Sequence, residues 1–187
     1  MPEIKQKITV EEFHKLGEMG YFYPDARVEL IEGEIVYMTP TGRWHNGIVN
    51  FLNDYFLSLL RGKIILGPQN SLILSEDTEF YPDIALLKYN PSFYADRTPT
   101  TEDVHLVIEV SDSSISRDRN RKVPLYAKAG VPEVWLIDVN KPRVEVYRDP
   151  QAGGYQSKQT LVHDELLSPT AFPEVQLKVN TIFSLSD

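Results

Sequence analysis

The run Val-His-Leu-Val-Ile-Glu-Val at residues 104 to 110 constrains the fold more than any other stretch of this chain. It is apolar at successive positions rather than alternate ones, the pattern of a strand covered on both faces. A sheet with a layer on each side is therefore required, and Glu109 falls inside it. A carboxylate there needs a cation, hydrogen bonds or a proton, because an isolated buried charge is expensive.

The flanking elements suit that demand. Thr9 and Glu12, ahead of Phe13 and Leu16, form a capping box that predicts a short helix over about residues 9 to 19. RVELIEGEIVYM reads as two strands about a tight turn at Glu32-Gly33. From Trp44 to Leu60, Ile48, Val49, Leu52, Tyr55, Phe56, Leu59 and Leu60 recur at three and four, marking an amphipathic helix that Gly62 stops. KIILG, SLILS, PDIALLK and VHLVIEV follow as four short strands of one central sheet. Residues 90 to 103 hold two prolines and no periodicity, so they predict a long loop of the kind that often borders a site. RKVPLYAKAG reads as a helix closed by Gly130, EVWLID and RVEVYR as strands, and YQSKQTL and VQLKV as weaker ones. The expectation is an α/β (α+β mixed) fold with a central mixed β-sheet flanked by α-helices.

A chain of 187 residues predicts one domain, residues 1 to 187. No stretch is apolar enough to cross a membrane, and MPEIKQKITVEEFHKL carries neither a signal-peptide core nor a transit-peptide composition, so the expected location is the cytosol. The absence of cysteine excludes disulfides, thiolate zinc sites and a Cys nucleophile. The net charge of -8 runs against a partner rich in phosphate, although Arg117 to Lys122 (RDRNRK) concentrates four positive groups against one negative.

Side chains alternate along a strand, so His105, Val107, Glu109 and Ser111 share a face. Asp83 opens PDIALLK directly after Pro82. Antiparallel pairing of these two strands sets Asp83 beside Glu109, which then share a proton or a divalent cation. Oxygen donors without sulfur suit a hard ion, Mg2+ with Mn2+ as an alternative, better than zinc. Stepping back by three and four from Leu125, Tyr126 and Ala129 brings Lys122 to the inward face of the following helix. Pro124 leaves the start of that helix open, with Asn120 as one candidate cap. Taken singly each residue has an ordinary reading: turn chemistry for Asp83, a solvent-reaching strand end for Glu109, a surface position for Lys122. The combination is what points to a site.

RVELIEGEIVYMTPTGRWH, YPDIALL, HLVIEVSDSS, DRNRKVPLYAKAGVPEVWLID and RVEVYR, in this order over roughly residues 27 to 148, resemble the Uma2 family of the PD-(D/E)XK nuclease superfamily. The resemblance implies a restriction-endonuclease-like core and Mg2+-dependent hydrolysis of phosphodiester bonds in nucleic acid, DNA ahead of RNA. It implies Asp83 and Glu109 as metal ligands with the Val110 carbonyl as a further one, Glu29 as an acidic group at the edge of the site, and Lys122 as the catalytic lysine. One departure stands out: the superfamily lysine belongs two residues after Glu109, where this chain has Ser111. His45, at the start of the long helix, can contact phosphate or a site carboxylate, or simply bond within its first turn. Arg117, Arg119 and Arg121 are candidate phosphate contacts. Two rival readings remain: a non-catalytic nuclease-fold module for nucleic-acid binding or assembly, and a hydrolase of another phosphate ester. Apolar positions of RVEVYR and VQLKV suggest either core packing or a homodimer interface.

Overall fold

The computed structural model describes residues 7–185, so Met1 to Gln6, part of the stretch read for targeting signals, lie outside it. Helix α1 (Val10–Glu18) starts at Thr9 with the expected reciprocal cap, Thr9 taking the Glu12 N–H and Glu12 taking the Thr9 N–H. Strands β1 (Val28–Ile31) and β2 (Glu34–Tyr37) pair antiparallel. Glu32 and Gly33 both adopt positive φ between them, as a tight hairpin turn requires. Helix α2 (Arg43–Leu60) buries Ile48, Val49, Leu52, Phe56 and Leu60 of the predicted apolar stripe, while Tyr55 is half-buried and Leu59 exposed.

β3 (Ile64–Gly67), β4 (Leu72–Ser75), β5 (Thr78–Phe80), β6 (Ile84–Lys88) and β7 (Val104–Ser111) follow. β7 leads through α3 (Ile115–Arg117), a π-helical turn at Asp118–Lys122 and α4 (Val123–Lys128) to β8 (Glu133–Asp138). β9 (Arg143–Gln151), β10 (Gly154–Val162), β11 (Leu166–Leu167), β12 (Leu177–Lys178) and α5 (Val179–Phe183) complete the chain.

The main sheet has the order β10-β9-β8-β7-β6-β3 and is mixed: β7 and β8 are parallel, the other neighbours antiparallel. Parallel neighbours need a long crossover, and the α3–α4 segment supplies it. VHLVIEV occupies the interior of this sheet. Its Leu106, Ile108 and Val110 pack with α2 on one face, while Val107 packs with Tyr126 of α4 on the other.

Two expectations change, and an open alternative is resolved. SLILS is not in the central sheet: β4 joins β2, β1 and the unforeseen β5 in a second, four-stranded sheet. The loop over residues 90 to 103 follows the Lys88 end of β6, whereas Asp83 lies at the opposite end, so the loop borders a different cavity, with Phe93, Tyr94 and Arg97 on its wall. The apolar positions of RVEVYR and VQLKV take the core-packing alternative, with Val144, Val146, Val175, Leu177 and Val179 all buried in the chain's own core.

Candidate active site

β6 and β7 run antiparallel with Ile84 opposite Ile108. The next pair outward is Asp83 and Glu109, as the pairing argument requires. Pro82 has no N–H to extend the ladder, and β6 begins at Ile84, so Asp83 stands just before the strand. Asp83 Oδ2 accepts the Val110 N–H at 2.9 Å, and Oδ1 lies 3.0 Å from His45 Nε2. The buried His45 thus comes from α2 onto the site carboxylate.

Pro124 also governs the opposite wall. It cannot donate to the carbonyl four residues back, and its ring crowds that carbonyl. The helix passes through it by widening beforehand into the π turn of Asp118–Lys122, and Asn120 lies within that turn rather than capping a new helix. The wider turn brings both Asp118 and Lys122 to the buried side.

Lys122 is 2% exposed. Its Nζ donates to Glu29 Oε1 at 2.8 Å and Glu109 Oε1 at 3.2 Å, and sits 5.1 Å from the centre of the Phe80 ring. Tyr126, one helical turn on, donates its hydroxyl to the same Glu109 oxygen at 2.6 Å. Glu29 Oε1 also accepts the Tyr81 N–H at 3.2 Å, while its buried Oε2 has no partner. Asp118 accepts hydroxyls from Ser111 and Ser114. The departure at Ser111 therefore has a structural consequence: the position holds a link to the π turn.

Burial pushes the Glu109 carboxyl up to about 8; Lys122 opposes the shift, and the negative charges of Asp83, Asp118 and Glu29 reinforce it. Burial also works against the Lys122 ammonium, but Glu109 and Glu29 outweigh it and raise its pKa. The two shifts pull against each other, since a proton on Glu109 removes one of the lysine's counter-charges. The shorter ion pair is to Glu29, and Glu109 is the carboxyl that keeps its proton to higher pH. Burial lowers the His45 pKa, but its bond to Asp83 more than compensates, so the net direction is upward. Tyr126 is held strongly protonated by burial and by Glu109.

Asp83, Glu109 and Val110 line one small cleft of about 60 Å³, with His45, Lys122 and Arg117 on its wall. Glu29 stands behind the lysine, against a neighbouring cavity. The structure separates the three arginines. Arg117 reaches the cleft, with a distant contact to Asp118 Oδ1 at 3.9 Å and a buried Nε that has no acceptor. Arg119 is instead clamped on Glu145, at 3.0 Å from Nε and 2.9 Å from Nη2, and Arg121 pairs with Glu34 at 3.2 Å. Neither lines the cleft.

Among the described residues, no three or more His, Asp or Glu side chains are grouped as a ready metal cage. Two carboxylates and a backbone position are nevertheless the donor set that suits Mg2+, which keeps waters or substrate oxygens in its remaining positions. The carboxylates of Asp83 and Glu109 and the Val110 backbone line the same cleft, so their chemistry fits such an ion.

Asp118, Tyr126 and Arg27 were not picked out as site residues from sequence. Asp118 and Tyr126 stand four residues either side of Lys122, one helical turn each way, and that spacing was the available signal. Arg27, which also lines the cleft, stands two residues before Glu29 and so shares its face.

A mixed sheet between helices, carrying a carboxylate pair beside a buried lysine, places the molecule with nuclease folds. A crystal structure of a putative nuclease belonging to DUF820, from Anabaena variabilis ATCC 29413, has the same fold, with a TM-score of 0.74 over 95% of this chain and 98% of that one at 22% identity. The Uma2 family, described as "Putative restriction endonuclease", matches residues 10–180, and the chain belongs to that family. No curated protein matches it in sequence. Among the described residues no helix is long and apolar enough to cross a membrane.

Proposed function

We propose that this protein is a Mg2+-dependent endonuclease that hydrolyses phosphodiester bonds of nucleic acid, DNA ahead of RNA. The observation that carries this reading is the adjacency of Asp83 and Glu109 at one cleft, with Lys122 held immediately behind Glu109.

Asp83, Glu109 and the Val110 carbonyl would hold the ion, with Mn2+ as an alternative. Bound there, it supplies a Lewis acid for the phosphate and lowers the pKa of a water. The remaining roles belong to the chain. His45 and the Val110 N–H fix the Asp83 carboxylate from two sides, so its oxygens are oriented before any ligand arrives. Glu29 and the Phe80 ring keep Lys122 charged and aimed at the cleft, where an ammonium stabilises negative charge developing on the phosphate. Arg117, on the wall of the cleft, offers its guanidinium to a phosphate oxygen.

The single test is Mg2+-dependent cleavage of a labelled oligonucleotide. Asp83→Ala should lower the rate by about 10²–10³-fold, the cost of losing one positioned group at a reacting phosphate. Cleavage that survives Asp83→Ala in clean protein would remove the mechanism. One observation favours a second reading, a non-catalytic nuclease-fold module: Lys122 is almost fully buried and already paired twice. That reading predicts nucleic-acid binding without metal-dependent cleavage.

A further inference from the structure

The catalytic cleft does not end at the carboxylates. It adjoins a roomier cavity of about 320 Å³, and Arg27, Met38 and Tyr81 line both. The cleft itself, at about 60 Å³, is the narrower of the two. The wider cavity beside it gives room for the next part of a strand.

Arg27 stands at the junction. The Met38 N–H donates to the Arg27 carbonyl at 2.8 Å, extending the β1–β2 ladder by one pair and fixing the backbone there. Alternation along β1 sets the Arg27 side chain on the face of Glu29, the residue that grips Lys122. Arg27 is half-buried as a residue, and among the described residues its side-chain N–H groups, still open to solvent, have no hydrogen-bond or ion-pair partner. Arginines close to carboxylates are normally paired with them. Arg119 and Arg121 show the usual outcome in this same molecule, each on a glutamate. An arginine with no such partner among the described residues, at the edge of the cleft, suits a phosphate, whose oxygens match its fork of N–H donors.

We infer that Arg27 binds the phosphate next to the scissile one, so that the substrate is a polynucleotide strand running through both cavities rather than a small phosphate ester. This rests on the nuclease reading for the position of the scissile phosphate. Arg27 is a positioning residue: it holds the strand and takes no part in bond breaking.

The test is equilibrium binding of a short fluorescent single-stranded oligonucleotide in Ca2+, which seeks the same oxygen ligands as Mg2+. A dinucleotide with a single phosphodiester serves as competitor. Arg27→Ala should weaken oligonucleotide binding about tenfold and flatten the log–log salt dependence by about 0.7, the contribution of one phosphate contact to a single strand. Its affinity for the dinucleotide, which has no neighbouring phosphate, should not change. Arg27→Lys should recover part of the loss, and Lys63→Ala, which removes an equal charge paired with Glu174 away from both cavities, should match wild type. The inference is overturned if Arg27→Ala binds the oligonucleotide with wild-type affinity and salt slope. It is overturned equally if oligonucleotide and dinucleotide weaken together, or if the wild-type protein binds no oligonucleotide. Wild-type protein that binds through Arg27 yet cleaves nothing in Mg2+ would leave this inference standing and remove the nuclease reading instead.

Discussion

Glu109 and Glu145 occupy the same row of the main sheet: each pairs across with Leu136, one from β7 and one from β9. Directly opposed side chains share a face, so the two carboxylates look the same way, two strands apart. Both are almost closed to solvent, at 4% and 3% exposed. One π turn supplies a cation to each, Lys122 to Glu109 and Arg119 to Glu145. Their acidities nevertheless diverge. Glu109 is pushed up to about 8, whereas Glu145 is held down at about 2, because burial is outweighed there by Arg119, Tyr147 and Lys158.

The difference lies in the local balance of charge. Glu145 is met by Arg119, Lys158 at 3.0 Å and Arg143 at 3.8 Å, cations whose heads reach water at the rim of the sheet. Glu109 shares one ammonium with Glu29 and faces Asp83 and Asp118 as well. The first is a closed structural pair, and the second is a site short of positive charge. A buried carboxylate alone is therefore no sign of function; a buried carboxylate whose neighbours do not neutralise it is one.

The largest effect that sharpens the contrast is on stability at Lys122. Lys122→Met leaves Glu29 and Glu109 buried without their shared cation and should cost about 3–5 kcal/mol in urea unfolding of metal-free protein. Glu145→Gln should cost less, about 2 kcal/mol, because the cations it abandons can turn to solvent. Glu109→Gln should act in the opposite direction and stabilise metal-free protein by about 1 kcal/mol, as replacing a strained site group often does. If Glu109→Gln and Glu145→Gln were equally destabilising, the two glutamates would be the same kind of residue and the comparison would fail.

The smallest effect is a pH window. Glu145 titrates near 4.5 when unfolded and near 2 when folded, so the unfolded chain takes up the proton first. Its contribution is complete above about pH 4.5 and is lost as pH falls toward 2, roughly 1 kcal/mol after screening at the sheet rim. Unfolding followed between those pH values should show this slope in wild type and a shallower one in Glu145→Gln.

The strand bearing Glu109, the α2 stripe, the Thr9 cap and the Glu32-Gly33 turn were legible because each follows a local rule of period, cap or turn. The convergence of Asp83 and Glu109 was legible too, since antiparallel pairing leaves little choice of neighbour. β5 was not legible. Its Thr78, Glu79 and Phe80 form no apolar run, and the buried Glu79 is met by His14 from α1 and by Ser71 and Tyr81 from just outside the strands. The π turn was not legible: Pro124 signals a disturbance and the helix face already set Lys122 inward, but the Glu29 that receives the lysine lies 93 residues away in sequence. The fate of Arg119 was likewise hidden, because its glutamate lies 26 residues on.

Calorimetric titration of Mg2+ into wild-type protein, Asp83→Ala and Glu109→Ala tests the central claim most directly. The account predicts binding by the wild type and its loss in both variants, with circular dichroism unchanged. Binding that persists in both variants, or a wild type that takes up no ion, would contradict it.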